Sequence, residues 1–139
     1  MQTFDSLYGK APYYTDVLNA LSLLYKAPTN NLAEFNILGI KWLTRSLGIE
    51  TRIVQASEFS KSSSSSALLL ELVRSVGGTV YLSGPTGRKY LDETLFLNAG
   101  VKIDYHNFSP FTYPQRFDGF IPGLSVLDYL FNVGPNPWW

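Results

Sequence analysis

The stretch "YLSGPTGRKYLDE", Tyr81–Glu93, sets two glycines, two cations and the carboxylate of Asp92 between apolar runs. Gly84 and Gly87 let backbone N–H groups turn inward and cradle an anion, and Arg88 and Lys89 add positive charge. The spacing is not that of a Walker A loop, whose glycines stand further apart and lead into Lys and Ser or Thr, nor is it GxGxxG. A plain tight turn therefore stands beside an anion or substrate loop as a reading. Asp92 is either a helix N-cap or a general base or hydroxyl-binding carboxylate. His106 is the only histidine. It reads as a hydrogen-bonded structural group or as the residue that transfers a proton. Ser83 has no partner that would activate it as a nucleophile. Arg45 and Arg52 are surface cations or binders of a phosphate or carboxylate. The absence of cysteine excludes thiol catalysis, disulfides and zinc–cysteine sites, and a single histidine excludes a histidine metal cluster.

These side chains need a frame. In a parallel sheet, ligands bind outside the carboxyl ends of the strands. "TVYL" at Thr79–Leu82 is a short apolar strand, so the glycine loop starts at a strand end. "VKIDY" at Val101–Tyr105 is another strand, and His106 follows it. "IETRIV" at Ile49–Val54 alternates apolar and polar residues and predicts a third. Between them lie a helix over Ala67–Val76, ended by Gly77 and Gly78, and a short helix over about Asp92–Asn98. That order predicts crossovers and a parallel sheet. If both flanking strands are parallel, Gly84 and His106 lie within about 15 Å, roughly three strand spacings.

Helical patterns precede and follow this core. "MQTFDSLYGKAPYY" reads as the end of a helix entering a turn. A helix over about Thr15–Lys26 places Val17, Leu18, Leu21, Leu24 and Tyr25 on one face, and Pro28 ends it. Asn31 and Glu34 stand in capping-box spacing before a helix over Leu32–Leu47, and Gly48 is placed for a left-handed C-cap. A last helix, about Val126–Asn132, opens with Ser125 and Asp128 in the same spacing. The "KSSSSS" run at Lys61–Ser66 reads as a loop whose last serine caps the helix after it. "HNFSPFTYPQRFDGFIPG", between His106 and Gly123, is a long aromatic segment. It reads as a strap over the core or as a pocket wall.

The chain has 139 residues, enough for one domain with a real core. Its formal net charge of zero supplies no field toward nucleic acid or an anionic membrane. No run approaches the roughly 20 apolar residues that span a bilayer. No basic segment followed by an apolar run opens the chain, so no signal peptide is expected. The expected fold is a single α/β domain over residues 1–139. It has a three-layer-like, mostly parallel sheet with flanking helices, preceded by a helical pair.

Four stretches in order resemble the WbqC-like family: "YGKAPYY" at Tyr8–Tyr14, "LGIETRIVQASE" at Leu47–Glu58, "YLSGPTGRKYLDETLFLNAGVKIDY" at Tyr81–Tyr105, and "FIPGLSVLDYLFNVG" at Phe120–Gly134. The resemblance covers most of the chain from Tyr8 onward. It implies the C-terminal portion of a longer protein, with the usual N-terminal half absent. It also implies a cytoplasmic role in bacterial surface-polysaccharide (O-antigen) biosynthesis, as an acyl or aminoacyl transferase acting on an amino sugar or nucleotide sugar. The expected partner is a small molecule, a sugar nucleotide or acyl donor, with no nucleic acid and no membrane insertion. No cofactor is indicated. Asp92 and His106 are the catalytic candidates. Ser83, Gly84, Gly87, Arg88 and Tyr90 are the substrate-binding candidates, together with Lys10 and Tyr13 of the first motif. The alternatives are a non-catalytic sugar-nucleotide- or partner-binding module and an inactive truncated homologue. The chain is expected to bury apolar surface against another copy, as a homo-oligomer, or against the absent N-terminal half, because Trp138 and Trp139 offer apolar area to a partner.

Overall fold

The computed structural model describes residues 2–60 and 62–135. The elements run in the order α1 (Gln2–Tyr8), α2 (Tyr14–Tyr25), α3 (Leu32–Ser46), α4 (Ser65–Ser75), β1 (Val80–Ser83), α5 (Glu93–Asn98), β2 (Lys102–Tyr105) and α6 (Val126–Val133). Short 3₁₀ turns occupy Ala56–Glu58 and Pro85–Lys89. Two compact units result. The first joins the chain up to Thr51 with the chain from Pro110 onward; the second is Arg52–Ser109. Trp138 and Trp139 lie outside the described residues.

In the first unit α6 is the centre. Its sequence is apolar on nearly every side, and Asp128, Tyr129, Leu130, Phe131 and Asn132 are all buried. A helix buried all round must be enclosed from several directions. From one side come the aromatic rings before and within α2. The Phe131 ring stacks on Tyr8 at 4.5 Å between centroids and meets Phe4 at 5.6 Å and Tyr14 at 6.1 Å. From another comes the aromatic strap. Tyr129 meets Phe111 at 5.8 Å and Tyr113 at 5.2 Å, both edge-on. The Arg116 guanidinium donates to the carbonyls of Ser6 and Leu7, closing the end of α1.

A buried carboxylate fastens the strap. Asp128 is 5% exposed and accepts from the Tyr113 hydroxyl at 2.8 Å and from the Gln115 amide at 3.2 Å. The Gln115 amide also exchanges two bonds with the backbone of Ile121. Burial, reinforced by hydrogen bonding to Asp128, pushes the Tyr8 phenol up to about 12 from its ordinary 10.0. A raised tyrosine pKa favours the folded state while the phenol is protonated. That contribution is complete below pH 10 and is lost as pH rises toward 12. Denaturant midpoints measured at about pH 9 and about pH 11 are therefore expected to fall with pH, and to fall less in Tyr8→Phe. Equal falls in both proteins would refute the assignment.

The caps explain the boundaries of α3. The Asn31 side chain accepts from Ala33 N at 2.8 Å and Glu34 N at 3.3 Å. The return half of the box passes through Thr29: its hydroxyl donates to Glu34 and accepts from Asn31 N. At the other end Gly48 takes a left-handed φ of 66°, and Ile49 N donates back to Thr44 O at 2.8 Å. This closure also explains why Ile49–Val54 is not a strand. Ile49 belongs to the end of α3 and packs on the first unit's core, while Ile53 is 45% exposed. Alternation yields a strand only where one face is buried.

The second unit holds the sheet, which has two strands among the described residues. β1 and β2 are parallel, with Val80 opposite Lys102 and Ser83 opposite Tyr105. α5 provides the crossover. The core is Leu70, Leu91, Phe96 and Val101, with Tyr81 stacked on Phe96 at 5.3 Å. The serine run differs from its sequence reading. Helix α4 begins at Ser65, and Ser66 lies inside it, buried. The Ser66 hydroxyl accepts from Asp92 N at 3.0 Å, tying the start of α4 to the start of α5.

Candidate functional site

Both strands of the second unit deliver their last residues to one edge. Ser83 and Tyr105 are paired in register, and His106 N donates to Ser83 O at 2.8 Å. Gly84 and His106 are thus the next residues beyond a paired position, at the carboxyl end of the sheet. The glycine loop then folds as a 3₁₀ turn, with Pro85 starting it. Its backbone is internally bonded: Gly87 N donates to Gly84 O at 3.0 Å.

Gly87 is needed for close approach. A Cβ there would lie 2.1 Å from Ser83 Oγ and 3.1 Å from a Leu91 methyl, both in the buried interior. Gly84 has open space around the same position. Gly87→Ala is therefore expected to cost about 1–3 kcal/mol through overpacking, while Gly84→Ala is near neutral. Thermal denaturation of both variants checks this, and matched melting temperatures would contradict it.

The turn carries Arg88 over the Tyr105 ring, 3.9 Å from its centroid. The Tyr105 hydroxyl donates to Glu93 at 2.6 Å. That bond to a carboxylate, with some burial, holds the Tyr105 phenol above its usual value, and Arg88 pulls the other way. Glu93 opens α5, whose N-cap is Asp92: its carboxylate accepts from Leu95 N at 3.2 Å. The His106 ring stacks on Phe108 at 5.7 Å. Beside this cluster runs a groove of about 390 Å³ between α5 and β2. Leu97, Val101 and Ile103 supply apolar lining; Glu93, Lys102 and Tyr105 supply polar groups.

Of the residues singled out from sequence, Ser83, Gly84, Gly87, Arg88, Asp92 and His106 share the second unit. The Ser83 hydroxyl is buried and turned onto Gly84 O at 3.1 Å. Tyr90 is 65% exposed. Lys10 and Tyr13 belong to the first unit, where Lys10 is exposed and Tyr13 N donates to Phe131 O at 3.1 Å. Sequence reasoning missed Glu93 and Tyr105 as a pair. The available signal was that Tyr105 ends its strand as Ser83 does, which puts both beside the loop.

Fold and site define a mixed α/β protein with a parallel strand pair and a polar cluster at its carboxyl end. The chain belongs to the WbqC-like protein family, whose model matches residues 1–138. It is 29% identical over 129 residues to the uncharacterized protein Rv1507c of Mycobacterium tuberculosis. That alignment covers 91% of this chain and 56% of the relative, so the chain spans little more than half of that relative's length. No solved structure matches it. Among the described residues no helix is long and apolar enough to cross a membrane.

Proposed function

We propose that this WbqC-like chain serves bacterial surface-polysaccharide (O-antigen) biosynthesis in the cytoplasm, binding a nucleotide sugar at the sheet edge for acyl or aminoacyl transfer. The observation that carries the binding part is the juxtaposition of Arg88, Tyr105 and Glu93. A guanidinium pairs with phosphate oxygens, and a carboxylate accepts from sugar hydroxyl or ammonium groups. Exposed aromatic faces nearby, Tyr90 and Phe108, suit a base or a sugar ring. In the transfer step a sugar amine attacks the acyl carbonyl, a C–N bond forms and the bond to the leaving group breaks. His106 accepts the proton released by the amine. Asp92 acts as a positioning residue, fixing the helix start that presents Glu93.

A thermal-shift series with nucleotides, nucleotide sugars and acyl donors tests the reading. A ligand bound only by the folded state raises the melting temperature. A nucleotide sugar is expected to do so, and Arg88→Ala is expected to remove the rise. No response to any nucleotide sugar would sink the proposal. A second reading, a binding module without turnover, draws on the bond that engages the Asp92 carboxylate with Leu95 N. Binding without product formation from an acyl donor and an amino sugar would select it.

A further inference from the structure

We propose that the first unit holds a slot for a compact organic ammonium ion, with Tyr13 and Trp42 as aromatic walls and Asp16 as the counter-charge. The slot measures about 210 Å³ and lies among residues of α2, α3 and α6. Val17 and Leu130, 6% and 1% exposed, are its apolar lining. Its volume is below the roughly 300–1,000 Å³ of sites for drug-sized ligands, so the occupant is small.

Three observations define the chemistry. First, Tyr13 and Trp42 supply the two rings, and ring faces attract cations through their quadrupoles. Second, among the described residues lining the slot, Asp16 is the charged one. It is exposed, so it marks the rim rather than the floor. An anion would meet a carboxylate and, among the described lining residues, no compensating cation; a neutral ligand would leave that carboxylate unused. Third, the Tyr13 wall is fixed before any ligand arrives. Its backbone N–H is held by Phe131 O, and its ring lies against the Cα of Gly134, where a Cβ would come within 2.5 Å of a ring carbon. A wall that needs no reordering lowers the entropic cost of binding. The slot lies wholly within the first unit, and the inference is independent of the nucleotide-sugar reading.

The test uses the full chain, labelled with ¹⁵N, and the indole N–H resonance of Trp42, assigned by its loss in Trp42→Phe. Choline is the probe, and its neutral carbon isostere, with carbon in place of nitrogen, is the control. Choline is expected to move the Trp42 signal to saturation, with an affinity roughly tenfold above that of the isostere. Asp16→Asn, an isosteric change at an exposed position, is expected to weaken choline several-fold and leave the isostere unchanged. Equal binding of choline and isostere, indifference of choline to Asp16→Asn, or a Trp42 signal that choline does not move would each overturn the proposal.

Discussion

Phe131→Ala is expected to destabilise the first unit by about 3–5 kcal/mol, the range for deleting a fully buried aromatic ring. Phe131 is 0% exposed and is the ring on which Phe4, Tyr8 and Tyr14 converge. Truncation removes its own burial and also leaves three aromatic neighbours facing a void. Those neighbours stand on α1 and α2, which are short and have little stability apart from this packing. The loss is a large share of a typical total of about 5–15 kcal/mol. Denaturant unfolding of the wild type, Phe131→Leu and Phe131→Ala measures it. The leucine variant keeps much of the volume and is expected to lose much less. A drop below about 1 kcal/mol for alanine would show that the site collapses freely, contrary to the close packing described.

The same helix shows what sequence reading reaches. The apolar pattern of about Val126–Asn132 marks a helix, and Ser125 marks its start, since its hydroxyl accepts from Leu127 N. Helices α2 and α3 were legible for the same reason: a 3.6-residue apolar period bounded by a proline or by Asn31 and Gly48. The two strands were legible because short apolar runs end at a glycine loop or at the lone histidine. What failed depended on contacts distant in sequence. Asp128 has capping-box spacing from Ser125, yet its carboxylate is buried against Tyr113 and Gln115. Nothing local distinguishes a capping carboxylate from one that anchors a strap. Ile49–Val54 has a strand-like period but no buried face to satisfy. The loop at Ser83–Arg88 was correctly placed at a strand end, because that follows from element order. The bonds at the helix starts beside it were not readable: Ser66 meets Asp92 across 26 positions, and Glu93 meets Tyr105 across 12. The joining of the chain before Thr51 with the chain after Pro110 is likewise a product of packing, in which rings from both segments enclose α6.

Gly134→Ala is expected to lose about 2–6 kcal/mol, from backbone strain of about 1–3 and overpacking of about 1–3. Gly134 follows α6 at φ 87° and ψ −168°, a combination essentially confined to glycine. A Cβ there would also lie 2.5, 2.6 and 2.8 Å from three carbons of the Tyr13 ring. The two costs are separable. Gly123 has a comparable φ of 74° but no atom within 4 Å of its Cβ position, so Gly123→Ala reports strain without the clash. It is expected to cost only about 1 kcal/mol. Tyr13→Ala, placed in the Gly134→Ala background, removes the ring that the new methyl meets. The double variant is expected to be less damaged than the sum of the single changes, with coupling of about 1–2 kcal/mol. Additive losses would mean that backbone strain alone disfavours the alanine. Because the Tyr13 ring is also a wall of the ammonium slot, the Gly134→Ala protein that remains folded is expected to lose the choline response at Trp42, whereas Gly123→Ala keeps it. A glycine outside the ligand's reach would then control the slot through the one ring it lets lie flat against the backbone.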